Sequence, residues 1–255
     1  MDLEFREYFL ARWKKYFPGA ALPLVFFYGD NPAEVQVVPE PKGWRCFIDE
    51  LKAVRRGQSL AFDTAAVPCR GAKRYLGFTS EMIPNFDYFL SCGLGGEIEG
   101  ERFKKSPELV RQLMYDFKDL PATSRYIVFK RWDKLAENDK PEGVVFFAHP
   151  DILSGLFTLA NFDRPDADGV CTPFSSGCGS IVRLVRLEAT REHPRAVLGM
   201  FDVSARMSVE GNVLSFGVPF ERLRQMADNM DESFLITDSW DKLRKRFAME
   251  ATEKK

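Results

Sequence analysis

Histidine is nearly missing from this chain: His149 and His193 are the two in 255 residues. Imidazole is the usual base and metal ligand near neutral pH, so the scarcity weakens any histidine-centred chemistry. His149 precedes a proline and a predicted helix, and His193 lies in Arg191-Glu192-His193-Pro194, a turn-like string. Both read as capping or surface residues. An excess of one charge is lacking too. Lys and Arg total 36 against 37 Asp and Glu, a net charge of -1, which removes the bulk electrostatic case for nucleic acid or an anionic membrane. The longest apolar runs, Leu24 to Tyr28 and Val144 to Ala148, are far too short to span a bilayer. The opening Met1-Asp2-Leu3-Glu4-Phe5 lacks the basic start and apolar run of a secretory signal. A cytoplasmic protein is therefore expected. Closely paired cysteines are absent as well. The nearest of the five, Cys171 and Cys178, have six residues between them, wider than zinc-finger spacing. Five such residues fit a reducing compartment better than a disulfide scaffold.

What is present is an ordinary globular composition. The chain is 45% apolar with 23 phenylalanines, enough to build a substantial core and to exclude disorder. Phe5, Phe9, Trp13 and Phe17 recur every four residues and predict an amphipathic helix over 3–17, stopped by Pro18-Gly19. Its aromatic stripe is a core or oligomer face. Short strands are expected at 22–28, 59–63, 126–129 and 144–147, and again at 180–187, 197–202 and 213–217. Helices are expected over 44–56, from Ser106-Pro107, from His149-Pro150, from Pro219 and from Asp238. Cys46 falls off the centre of the apolar stripe of the 44–56 helix. The stretch 163–179, rich in Pro, Asp, Ser and Gly, reads as a long loop of the kind that carries function. Helix and strand alternate without regular crossover units, so the expected fold is α+β with a mixed sheet. It is taken as one domain over 1–255, with a two-lobed division at 1–120 and 121–255 as the variant. A faint echo of strand, helix and Cys/Gly loop occurs in both halves.

Four cysteines lie beside or near glycine, in Cys69-Arg70-Gly71, Cys92-Gly93, Cys171 and Gly177-Cys178-Gly179. Glycine beside a thiol permits a tight turn and leaves room around the sulfur. The glycines at 93, 95, 96 and 100 match no phosphate-binding fingerprint and mark a loop carrying Cys92.

The string Trp44-x-Cys46 with a helix ending at Gly57, then Cys69-Arg70-Gly71-Ala72 and Leu76-Gly77, resembles the N-terminal half of the family catalogued as domain of unknown function 169. Gly177-Cys178-Gly179-Ser180 is similar to its cysteine-glycine loop. Asp202-x-x-x-Arg206, then Phe216-x-Val218-Pro219, is similar to its closing segment. The resemblance covers roughly Leu22 to Arg246. It implies a fold and a set of shared positions, Cys69, Cys178 and Arg206, without a reaction. The stretch between Cys171 and Cys178 is shorter than the family pattern, which sets Cys171 apart.

Four readings stay open. Cys69, Cys92, Cys171 and Cys178 supply four thiolates for zinc or an iron–sulfur cluster. Cys178 among serines is a candidate catalytic thiol, activated by Arg70 or Arg206. Cys69, Arg70, Gly71, Cys178, Gly179 and Arg206 are candidates to line a pocket for an anionic small molecule, for which arginine's planar fork of donors is suited. The aromatic first helix is a candidate homo-oligomer face. The expected partner is a small molecule or metal, with neither nucleic acid nor membrane.

Overall fold

The computed structural model describes residues 1–32 and 35–253, with side chains to residue 247. The fold is α+β, built on one eight-stranded mixed sheet. Its strands are β1 (Leu24–Gly29), β2 (Gln36–Val37), β3 (Leu60–Phe62), β4 (Tyr126–Arg131), β5 (Gly143–Ala148), β6 (Val170–Cys171), β7 (Ala196–Gly199) and β8 (Leu214–Pro219). They lie in the order β2-β3-β4-β1-β5-β8-β7-β6. Counted outward from the centre, one half reads 1-4-3-2 and the other 5-8-7-6. In each half the outermost pair, β2 with β3 or β6 with β7, is parallel, and every other pairing is antiparallel. The echo in the sequence is therefore a repeated strand plan. Parallel neighbours need a crossover connection. Helix α2 (Phe47–Arg55) crosses between β2 and β3. A π-helical turn, Gly179–Arg183, running into α7 (Leu184–Ala189), crosses between β6 and β7.

One face of the sheet carries α1 (Leu3–Tyr16) with α6 (Pro150–Asn161), α8 (Phe220–Asp228) and α9 (Asp238–Glu253). Asp2 caps α1 by accepting from Glu4 N–H at 2.9 Å. The aromatic stripe of α1 is core rather than an oligomer face: Phe9 is 0% and Trp13 2% exposed. The Phe9 ring lies tilted 4.3 Å from Trp132 beside β4, and Trp13 lies 5.0 Å from Phe146 on β5. The helix thus seals the seam between the two halves. Burying each such ring contributes about 1.5–3 kcal/mol.

The opposite face carries α2, α3 (Arg70–Tyr75), the π turn and α7. The segment 180–187, expected as a strand, is helical here. Ile181, Val182, Leu184 and Val185 are all buried, and an apolar run buried all round has no period that separates strand from helix. The sheet makes room for it. A Cβ on Gly143 would stand 2.8 Å from Val185 Cγ1, and one on Gly217 would collide with Val185 Cγ2. Two glycines on adjacent strands are what let the helix seat. The long connection from β3 to β4 adds α3, α4 (Phe86–Phe89) and α5 (Pro107–Tyr115). Arg183 stacks 3.5 Å over Phe117 and donates to Lys118 O at 2.7 Å, and Arg186 donates to Leu120 O and Pro121 O. These arginines pin the end of that connection to the helical face. Among the described residues, no helix is long and apolar enough to cross a membrane.

Candidate functional site

Three cysteines belong to the packed cluster on the helical face, each at or near the start of a helix. Cys46 is the N-cap of α2 and Cys69 the N-cap of α3, whereas Cys178 has helical backbone in the first turn of the helix that begins at Gly177 and is capped by Ser176, whose Oγ accepts Gly179 N–H at 3.0 Å. The predicted helix over 44–56 begins three residues late, after the breakers Pro39, Pro41 and Gly43. Cys46 therefore stands outside the helix, where its thiol is free to face its neighbours. Cys69 and Cys178 belong to the expected site, while Cys46 was not among its expected members. The three segments pack together: a Cβ on Gly177 would stand 3.4 Å from Ile48 Cγ1 of α2, and one on Gly179 2.9 Å from Tyr75 Cδ1 of α3; negative charge on Cys69 and Cys46 raises the Cys178 thiol, and charge on Cys46 raises Cys69.

Backbone N–H groups converge on Cys69. Its Sγ accepts from Ala72 N–H at 3.4 Å, and the N–H groups of Gly71 on its own helix and Phe47 on α2 also pull its pKa down. Two helix N-termini thus share one sulfur, an arrangement that favours a thiolate. Desolvation by burial outweighs them, and the Cys69 thiol is raised overall. Burial raises Cys178 further, against a Ser176 Oγ contact at 3.4 Å. No cationic side chain is among the causes acting on either thiol. Arg70 is exposed, and Arg206 donates to the carbonyls of Met200, Val213, Glu210 and Gly211. Arg206 is a backbone clamp whose fork is already occupied. The two arginines expected to activate a thiol do not do so.

The glycines beside Cys178 serve close packing. A Cβ on Gly177 would stand 2.9 Å from Ala205 Cβ and 3.1 Å from Met200 Sδ, and one on Gly179 would collide with Ser175 Oγ and come 2.9 Å from Tyr75 Cδ1. Gly71 is the opposite case: nothing lies within 4 Å of a Cβ there, so the open side of the cluster is next to Cys69. Asp202 accepts Gly177 N–H at 2.9 Å and fixes the loop from the other side. The Tyr75 hydroxyl shares a hydrogen bond with Ser176, and burial pushes its pKa up to about 12.

The remaining cysteines lie apart. Cys171, on β6, is buried with its Sγ 3.7 Å from Glu188 Oε1; burial and that carboxylate push its thiol up to about 11. Glu188 is held by Arg195 at 2.8 Å. Cys92 is exposed and meets only Ser91 Oγ and its neighbour's carbonyl, Gly93 O. Its loop closes on itself through a Leu94–Ile98 bridge. Among the described residues, no three His, Cys, Asp or Glu side chains stand grouped to hold a single metal ion. The four-cysteine set expected from sequence is not assembled.

No curated protein and no solved structure matches the chain. The model of the family described as Uncharacterised ArCR, domain of unknown function 169, matches residues 22–229. That span holds the whole sheet and all three converging cysteines, and the chain belongs to this family.

Proposed function

We propose that Cys46, Cys69 and Cys178 ligate a polynuclear thiolate-bound metal centre, in the first place an iron–sulfur cluster. The observation that carries this reading is the packing of three cysteines into one cluster at or near helix starts, Cys69 accepting Ala72 N–H at 3.4 Å. Buried thiols raised by desolvation suit a site whose negative charge is neutralised by a bound cation, because ligation removes the proton that burial retains. The thiols feel one another's charge yet do not close on a point. That spread disfavours zinc, which gathers its ligands around one ion. A cluster, whose thiolates bind different iron atoms, does not require them to meet at one ion. When bound, a cluster supplies one-electron chemistry or a Lewis-acidic iron.

The chain's own groups have defined parts in this reading. The N–H groups on Cys69 stabilise its thiolate. Tyr75, protonated at neutral pH, and Ser176 hold the Cys178 loop. Asp202 holds Gly177. A reactive-cysteine enzyme is the competing reading, and the raised thiols weigh against it.

The test is anaerobic reconstitution with iron and sulfide, followed by metal analysis and a visible spectrum. Stoichiometric iron with broad visible absorption is expected. Cys46→Ser, Cys69→Ser and Cys178→Ser should each lose most of it, while Cys92→Ser and Cys171→Ser keep it. Colourless protein with five freely alkylated thiols would sink the proposal.

A further inference from the structure

A cavity of about 250 Å³ opens at the seam between the two halves, lined by none of the three clustered cysteines. Its walls come from the end of β5, the start of α6, the end of α2 and the segment returning from β7 to β8. The sequence leaves this space unfilled. Helix α1 stops before Pro18-Gly19, Gly19 takes a left-handed φ of 77°, and the chain leaves through Ala20 and Ala21, whose side chains are too small to close the gap. Phe146, Phe147 and Ala148 supply an apolar wall.

The formal charges in the wall cancel. Arg55 donates to both carboxylate oxygens of Glu210, at 2.9 and 3.0 Å, so neither charge is left over for a ligand. Two polar side chains are free by contrast. His149 stands at the N-cap of α6 without a capping bond, and neither its imidazole nor the Asn212 amide has a hydrogen-bond partner among the described residues. Asn212 can donate and accept, and a neutral imidazole can do the same. A charged ligand would give up its hydration here and find no counter-charge. An uncharged one that carries a donor beside an acceptor would satisfy both side chains. The volume lies below the roughly 300 Å³ at which sites for drug-sized ligands begin, which restricts the occupant to a single-ring molecule.

We propose that this cavity binds a small uncharged ring amide, one ring carrying a carboxamide or a lactam. The ring lies against Phe147 and Ala148. The amide carbonyl accepts from one of His149 and Asn212, and the amide N–H donates to the other. Arg55 comes from the first half, and His149, Glu210 and Asn212 from the second, so the site is complete only where the halves join. The inference is independent of the metal-centre reading.

The probe is benzamide, with benzoate as its charged isostere, and Trp13 in the cavity wall is the reporter. Its buried indole N–H has no acceptor among the described residues, whereas those of Trp132 and Trp240 donate to Arg6 O and Tyr16 O at 3.0 Å. In the isotopically labelled full chain, benzamide should shift the Trp13 indole resonance saturably, with a Kd of about 1 mM or tighter, and leave that of Trp132 in place. Benzoate should bind at least about tenfold more weakly. His149→Ala and Asn212→Ala should each weaken benzamide about three- to tenfold, the worth of one uncharged hydrogen bond. Ala20→Leu, at a half-buried position of the wall, should abolish the shift by filling the space. No saturable shift at about ten times the expected Kd, equal or tighter binding of benzoate, full affinity in both alanine variants, or a matching shift of Trp132 overturns the proposal. The comparison of benzamide with benzoate uses the unaltered chain and decides the matter even where a variant fails to fold.

Discussion

The two halves of the sheet share a strand plan and differ in what was inserted into it. In the first half β1 and β2 are joined by a short link, while residues 63–125 separate β3 from β4. In the second half the long helix α6 stands between β5 and β6, and β7 returns to β8 within residues 200–213. Each half places a cysteine at the start of its crossover helix, Cys46 in one and Cys178 in the other. Cys69 comes from the insertion found in the first half alone. A repeated plan placed a thiol near the start of each crossover, extended at Cys46 and helical at Cys178, and an unequal insertion brought the third. The site therefore belongs to the assembled sheet rather than to either half.

The strongest way to break this arrangement is to cut the seal over the seam. Trp13→Ala should cost about 3–5 kcal/mol, because Trp13 packs between Phe17 at 4.4 Å and Phe146 at 5.0 Å. Urea denaturation would measure it; a loss under about 1 kcal/mol would mean that α1 does not hold the halves together. A sharper contrast comes from two glycines, one in each half. Gly179→Ala should cost about 1–3 kcal/mol by overpacking and lower iron uptake. Gly71→Ala, in open space on α3, should stabilise by about 0.4–1 kcal/mol. If both substitutions shifted the melting temperature alike, crowding at the Cys178 loop would not be what selects glycine there.

Acid should act on the second half through Asp163, just after α6. Its carboxylate accepts from Arg222 Nη1 at 2.7 Å, and that bond holds its pKa below the usual range. A depressed folded-state pKa stabilises above the unfolded value, and the contribution is lost as pH falls through the folded one. Stability should thus decline below about pH 4, and Asp163→Asn should flatten that limb while costing about 1–3 kcal/mol at neutral pH. A pH series of denaturation midpoints reads both effects. The smallest effect is expected at Arg55–Glu210, a pair at 2.9 Å that ties α2 of one half to the 200–213 return of the other. It is exposed on the glutamate side, so a double-mutant cycle should return about 0.2–1 kcal/mol. A coupling well above that range would promote this pair to a principal tie between the halves.

Most of the layers were legible from periodicity. The stripe of α1, the apolar runs of β1 and β5, and the proline-marked start of α6 each carry a signal local to their own residues. The crossover 179–189 does not, because Ile181, Val182 and Val185 are buried all round and Val185 seats on glycines of other strands. Strand β6 is two residues long inside a stretch of turn formers and exists through its pairing with β7. Within the site, Cys69 and Cys178 were visible through their glycines, although at Cys178 the glycines signal crowding where room was expected. Cys46 was hidden by a helix boundary. Pro39, Pro41 and Gly43 were the available clue that the helix starts late enough to leave Cys46 at its cap.

The π turn at Gly179–Arg183 makes the facing of Cys178 a question of angular phase. A π turn closes its hydrogen bonds over one residue more than an α turn, and each residue of an α-helix advances the chain by about 100°. Beyond it, α7 is fixed, with Val185 seated over Gly143 and Gly217 and Arg186 bound to the backbone at Leu120 and Pro121. Deleting Ile181 or Val182 would let the turn relax to α geometry with α7 still in place. The strain would fall on the Gly177 end, breaking its bond to Asp202 at 2.9 Å and swinging Cys178 by about 100° from its present bearing. The count of residues in this one turn thus sets a compass bearing, and a single codon decides whether the third thiol points at the other two.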